Sequence, residues 1–291
     1  MRSKYKNYFL EAFFMNKKRK NIIWLCEGAI MIALATVLSM FKAVDLPYGG
    51  SVTVCSMLPI MLVAYRYGLV RGIITGAVYG GTQLILGMSA LSYATSWQAA
   101  VAIVVLDFIL AFAALGLIGI FGSKSYEKQA LTFIIGILTA CAARYFFHVV
   151  AGCTVWAGVS VPSGDGLIYS LIYNATYMLP ETIVTVIGGF YLTKTLDFTA
   201  DRLGPRSTAS TEQPKAVRVF MTAALFILAG VLIYDTAAIF GRLQNADSGE
   251  FDITGISAVP WLTIGILTAA AVALVAVAAL IKNRKKQSPT I

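Results

Sequence analysis

The chain has 291 residues, of which 58% are hydrophobic and 13% charged, with a formal net charge of +9. A mean hydropathy of +0.77 excludes an ordinary soluble domain, and the composition predicts an all-α polytopic membrane protein. The positive charge does not point to nucleic acid, because Lys and Arg gather in alternate connections, as the positive-inside rule requires of a multi-pass membrane protein.

Eight apolar windows approach the roughly 20 residues needed to cross the hydrocarbon: 22–43, 54–67, 69–88, 98–122, 130–158, 167–194, 217–240 and 257–281. The basic start MRSKYKNYFLEAFFMNKKRK is expected to be a cytoplasmic tail over 1–21. It runs into a segment of spanning length without an A-x-A-like site, so the first span is expected to be retained rather than cleaved as a signal peptide. In span one, Ala29 and Ala33 form an A-x-x-x-A step, suited either to packing inside the bundle or to docking a partner, with Glu27 near the cytoplasmic end.

Span three carries Gly68, Gly72, Gly76 and Gly80 at intervals of four, a face expected to let another helix backbone approach within the bundle. Lys and Arg fall on one side: the N-terminal tail, Arg66, Arg71, Lys124, Lys128, the 198–216 linker and a basic tail over 283–291. The other side receives Lys42 with Asp45, the uncharged GMSALSYATSW, Asp165 and the acidic GRLQNADSGEFD. Both termini are therefore expected in the cytoplasm, with membrane lipid around the spans.

The linker TADRLGPRSTASTEQPK is polar and separates a six-helix domain over 22–197 from a terminal helix pair over 217–282. That pair is expected to serve packing or assembly, and Pro260-Trp261 reads as an interfacial anchor. The cysteines Cys26, Cys55, Cys141 and Cys153 show no C-x-x-C spacing, and with one histidine in the chain neither a disulfide framework nor a metal site is expected. They read as small buried apolar residues.

Ionisable groups inside the membrane are costly, and the first six spans hold few: Asp107, Arg144, His148 and Glu181. At about 1.5 Å per residue, Asp107 lies roughly 14 Å below the outer rim, His148 about 15 Å and Asn174 about 10 Å, with Trp156 and Tyr169 at the rim. A carboxylate, an imidazole, an indole, a phenol and an amide thus converge in the outer half of the bundle. The set suits a flat, cationic, nitrogen-rich ligand: the carboxylate offsets the charge, aromatic faces attract cations, and Asn with Tyr fixes ring nitrogens. It lacks an activated nucleophile, so catalysis is not expected. Arg144 reads as a structural charge, with Glu181 as one possible partner. Tyr169 and Asn174 are five residues apart, roughly 140° around a helix, so Tyr173 and Tyr177 are alternative lining residues.

The segments YGGSVTVCSMLPIMLVAYRYGLVRGIITG, LDFILAFAALGLIG, ARYFFHVVAGCTVWAG and IYSLIYNATYMLP resemble the thiamine-specific S component (ThiT family) of energy-coupling factor (ECF) transporters, over roughly residues 22–197. The most specific pieces are R-Y-x-x-H-x-x-x-G followed by Trp156, and Y-S-L-x-x-N. The resemblance implies a six-helix S-component bundle that captures thiamine outside and has no ATPase of its own. It implies substrate contacts from Asp107, His148, Trp156, Tyr169 and Asn174, with Tyr93 and Phe108 at further pocket positions. It makes Ala29 and Ala33 the docking face for an ECF transmembrane coupling subunit served by two ATPase subunits, and the loop 43–54 a gate over the site. The chain departs from the family in carrying Asp107 where Glu occurs, Phe108 where Tyr occurs and Gly50 where Trp occurs.

No G-x-x-x-x-G-K-[ST] is present, so energy must come from separate ATPase subunits or from a gradient. The leading expectation is an ECF-coupled vitamin-uptake subunit without a cofactor. The rivals are a self-sufficient proton-coupled thiamine carrier, an S component for a thiamine precursor or another vitamin, and a membrane structural or assembly subunit.

Overall fold

The computed structural model describes residues 2–46, 50–122, 128–156, 166–200, 203–205, 215–243, 245 and 252–287, with the side chains of its first and last helices described between Arg19 and Ile281. Lys124, Asp165, most of the acidic QNADSGEF stretch, most of the linker and residues 47–49 of the gate loop lie outside the described residues.

Helix α1 runs from Arg2 to Met40 without a break, because residues 2–21 contain neither Gly nor Pro. The expected N-terminal tail is therefore a continuation of the first span, of which Arg19–Met40 is the apolar part. The chain then forms an antiparallel hairpin, β1 (Lys42–Asp45) and β2 (Ser51–Thr53), with Val44 opposite Val52.

The second expected span is much shorter than 54–67 suggested: α2 covers only Leu58–Tyr67, about 15 Å at the helical rise. Pro59 sits in its first turn, where no backbone donor is needed. Residues Leu58 to Tyr65 are all buried, so α2 is a central strut between α1, α3 and α4 rather than a lipid-facing span. Helix α3 (Leu69–Leu86) follows after Gly68, whose φ of 88° makes the turn between them.

Helix α4 (Trp97–Phe121) is continuous but changes pitch, passing through a π-helical stretch at Ile103–Leu110 and 3₁₀ turns at Ala114–Phe121. The glycine face of α3 meets it in register. A Cβ on Gly80 would fall 2.5 Å from the Phe108 carbonyl oxygen, and one on Gly76 would fall 2.4 Å from that of Phe112. A Cβ on Gly72 would lie 3.1 Å from Gly116 Cα, so the four-residue spacing on α3 answers a four-residue spacing on α4. This is packing inside the bundle, as expected, and it sets the position of Asp107.

Helices α5 (Gln129–Thr154) and α6 (Gly166–Thr195) form the most extensive helix pair. α7 (Lys215–Leu243) and α8 (Trp261–Gln287) complete an all-α chain, with α7 lying against α6. Among the described residues, six helices are long and apolar enough to cross a membrane: α1, α3, α4, α5, α7 and α8. α6 has the length, about 45 Å at the helical rise, but hydroxyls, amides and Glu181 dilute its apolar residues.

The core is aromatic at the end bearing Arg66 and Lys128. Phe133 stands 5.1 Å from Tyr65 and 4.9 Å from Phe198, centroid to centroid. Cys141 is buried, Cys55 and Cys153 are half-buried and Cys26 is exposed on the flank of α1, so the expectation of four buried cysteines holds fully only for Cys141. Trp261 anchors its loop by donating to the Ile256 carbonyl at 2.9 Å.

Candidate functional site

A cavity of about 540 Å³ opens among the hairpin, α1, α3, α4, α5 and α6, within the roughly 300–1,000 Å³ range of small-molecule sites. It lies toward the C-terminal ends of α1, α3 and α5, while Arg71 and Lys128 mark the opposite ends of α3 and α5.

Its polar wall is built on Asp107, which belongs to the π-helical stretch of α4. One extra residue per turn rotates the following side chains, a device frequent at functional sites. Asp107 Oδ2 accepts from Trp156 Nε1 at 2.8 Å, and Oδ1 lies 2.9 Å from His148 Nδ1. An ionised carboxylate only accepts, so His148 donates through Nδ1. His148 Nε2 is buried and finds no hydrogen-bond partner among the described residues. Buried polar nitrogens are nearly always paired, so this atom calls for a partner from beyond the described residues.

Asn174 stands one helix away. Its amide nitrogen donates to the Ser170 carbonyl at 2.9 Å and to the His148 carbonyl at 3.3 Å, and its oxygen accepts from the Tyr177 hydroxyl at 2.6 Å. Asn174 thus ties the His148 turn of α5 to α6. The close approach is possible because residue 152 is glycine: a Cβ there would fall 2.1 Å from Ser170 Oγ. Gly152 lines the cavity, but the room it vacates is taken by Ser170.

Of the residues expected at the site, Asp107, Phe108, His148, Trp156, Asn174 and Tyr93 all line the cavity. Tyr93 comes from a 3₁₀ turn (Met88–Tyr93) and sets its ring 5.9 Å from that of Trp156, tilted by 52°. Tyr169 packs beside Trp156, Ile103 and Ala151 and does not reach the cavity lining; Tyr173 and Tyr177 do. Helix geometry explains the difference, since Tyr177 lies three residues from Asn174 and shares its face.

The floor holds the second charge pair. Arg144 donates to Glu181 Oε2 at 3.1 Å, contacts Met57 Sδ, and sits 4.6 Å over the Phe112 ring. Thr53 of the hairpin donates to the other Glu181 oxygen and is itself linked to Ser56. Arg144 is therefore paired scaffold that also faces the cavity, and Glu181 has two partners. Sequence reasoning missed Thr53, Ser56, Tyr79 and Gln83 in the lining. Gln83 donates to Ser39 at 3.0 Å and was legible in principle as an amide within an apolar span.

The family model for thiamine transporter protein (Thia_YuaJ) matches residues 25–200, more than half of the chain. The chain belongs to the thiamine transporter family. A relative from Bacillus subtilis (strain 168), thiamine transporter ThiT, is 34% identical over 179 residues, 58% of this chain and 88% of the relative. The ThiT of Lacticaseibacillus paracasei is 30% identical over 188 residues, 59% of this chain and 87% of its own length. A solved structure of ThiT from Listeria monocytogenes aligns with a TM-score of 0.50 at 25% identity, covering 60% of this chain and 95% of that one. The matched region holds the last part of α1, from residue 25, with α2 to α6 and every residue lining the cavity, while α7 and α8 lie beyond it. This multi-pass membrane protein is thus a member of a transporter family and not of an enzyme family.

Proposed function

We propose that the chain is the substrate-binding subunit of a thiamine uptake system, capturing extracellular thiamine in the cavity beside Asp107 and releasing it inward when docked to an ECF module. The observation that carries this reading is the Asp107–His148–Trp156 cluster with its unpartnered imidazole nitrogen at the cavity wall. Thiamine joins a permanent thiazolium cation to a flat aminopyrimidine. Two cations and three carboxylates line the cavity: Lys42 pairs with Asp45 at 3.0 Å and Arg144 with Glu181, which leaves Asp107 as the surplus negative charge. A monocation balances that surplus, whereas a phosphorylated derivative adds anionic charge. His148 Nε2, the ring nitrogen not engaged by Asp107, suits a hydrogen bond with the aminopyrimidine, and Trp156 with Tyr93 supplies aromatic faces to a cation.

The tight family matches and the absence of a P-loop support coupling to separate ATPase subunits. Ala29 and Ala33 are both exposed on α1, which leaves their small-residue face open to a transmembrane coupling subunit. The positive-inside pattern supports cytoplasmic termini and an outward-opening cavity.

The test is titration of the purified chain with thiamine, thiamine monophosphate, thiamine diphosphate and the aminopyrimidine alone, followed by intrinsic tryptophan fluorescence. Quenching by thiamine at lower concentration than by either phosphate is expected; no response to any of the four sinks the reading. In liposomes, thiamine accumulation by this chain alone under a proton gradient would show a self-sufficient carrier instead.

A further inference from the structure

Helix α7, outside the region shared with the family, reaches the outer wall of the site. Phe240 (6% exposed) and Leu243 (1%) belong to one buried cluster with Leu46 and Val52 of the hairpin and with Tyr173, Tyr177 and Met178 of α6. The Phe240 ring stands 6.1 Å from the Tyr173 ring, edge to face at 66°. Tyr173 and Leu46 in turn line the cavity. Gly50 fits between them so closely that a Cβ there would come within 3.0 Å of the Tyr173 hydroxyl and 3.2 Å of Leu46.

Helix α7 is itself anchored along its length. The Asp252 amide donates to the Leu243 carbonyl at 2.6 Å, Thr268 of α8 donates to Asp235, and Tyr191 of α6 donates to Thr222 at 3.4 Å. A hairpin of two short strands is marginal on its own, so its position depends on what packs against it. On one side that is α6, and behind both stands α7.

We infer that Phe240 is a positioning residue: it backs Tyr173 and Leu46, holds the hairpin over the cavity, and makes hairpin opening depend on a helix pair that the rest of the family domain does not include. The consequence for ligand exchange rests on the thiamine reading; the brace itself does not. Hydrogen exchange on the ligand-free full chain tests the brace. In Phe240→Ala, the hairpin amides of residues 44–46 and 51–53 exchange at least fivefold faster, while those of α2 keep the wild-type rate and report an intact bundle. Phe226→Ala, on the exposed face of the same helix at 72% exposure, leaves the hairpin unchanged. Phe240→Leu gives a smaller acceleration and decides the matter if the alanine variant loses its fold. Leu46→Ala combined with Phe240→Ala accelerates exchange by less than the product of the two single effects, because both residues belong to one buried cluster. Wild-type hairpin exchange in both Phe240 variants, or multiplicative effects in the double variant, overturns the inference. Stopped-flow release of thiamine, faster in Phe240→Ala, then connects the brace to transport; failure of wild type to bind thiamine overturns only the proposed function.

Discussion

Replacing Asp107 by Asn alters charge and donor pattern while leaving volume nearly constant. In the wild type, one carboxylate receives Trp156 Nε1 at 2.8 Å and His148 Nδ1 at 2.9 Å. The amide has a single oxygen, so one of those two N–H groups is left facing an NH₂ group, and the surplus negative charge of the cavity disappears. Removing the surplus charge takes away its attraction for a bound cation, so thiamine affinity is expected to fall by about a factor of ten or more, roughly 1.4 kcal/mol. Isothermal titration of the detergent-solubilised variant measures it directly, and a cooperative thermal unfolding transition without ligand, at a somewhat lower midpoint, shows that the fold survives. His148→Ala should weaken binding comparably, by about a factor of ten or more. Thiamine affinity within twofold of wild type in both variants would refute the placement of the cation at Asp107 and leave the cluster as helix packing.

The other predictions concern the frame around that site. Arg144→Met strands Glu181 in a buried setting and should cost about 3–5 kcal/mol, whereas Arg144→Met with Glu181→Leu should be markedly less destabilised; thermal melts of the two variants compare them. Gly80→Ala drives a Cβ to within 2.5 Å of the Phe108 carbonyl and should lower stability by about 1–3 kcal/mol, while Gly81→Ala, with nothing within 4 Å, should be neutral or slightly stabilising. Tyr177→Phe removes the donor to Asn174 and should weaken thiamine binding several-fold, more than Tyr169→Phe, because the Tyr169 ring does not reach the cavity lining. Equal effects of the two phenylalanine variants in the same titration would count against the assignment of the lining face.

What was legible in the sequence was whatever the membrane makes expensive. Asp107, Arg144, His148 and Glu181 stood out because an ionisable group in hydrocarbon needs a partner, and the structure pairs Asp107 with His148 and Arg144 with Glu181. The glycines of α3 were legible for the opposite reason, since small residues at one spacing mark where a backbone comes close: Gly72, Gly76 and Gly80 meet α4, while Gly68 makes the turn before α3. The short α2 was not legible, because hydropathy measures apolarity, and a buried strut is as apolar as a lipid-facing span. Nor was the π-helical stretch around Asp107, which carries no composition of its own. Thr53 and Ser56 are unremarkable in a window of mixed residues; only the return of the hairpin against Glu181 gives them a role.

Span seven, in the terminal pair expected to serve packing or assembly, holds Asp235, an ionisable group whose cost in an apolar helix was legible; it is 6% exposed and accepts from Thr268. Phe240 offered no such signal. A phenylalanine among Ile, Ala and Leu has the same cost wherever it faces, so nothing local distinguishes a ring against lipid from one against Tyr173. Phe226, on the same helix, is 72% exposed. Which ring matters is decided by the docking of α7 on α6 and the hairpin, a contact between segments separated by the whole linker. Polar residues in a membrane declare their function through cost, whereas apolar residues acquire theirs through assembly, and the hairpin brace is of the second kind.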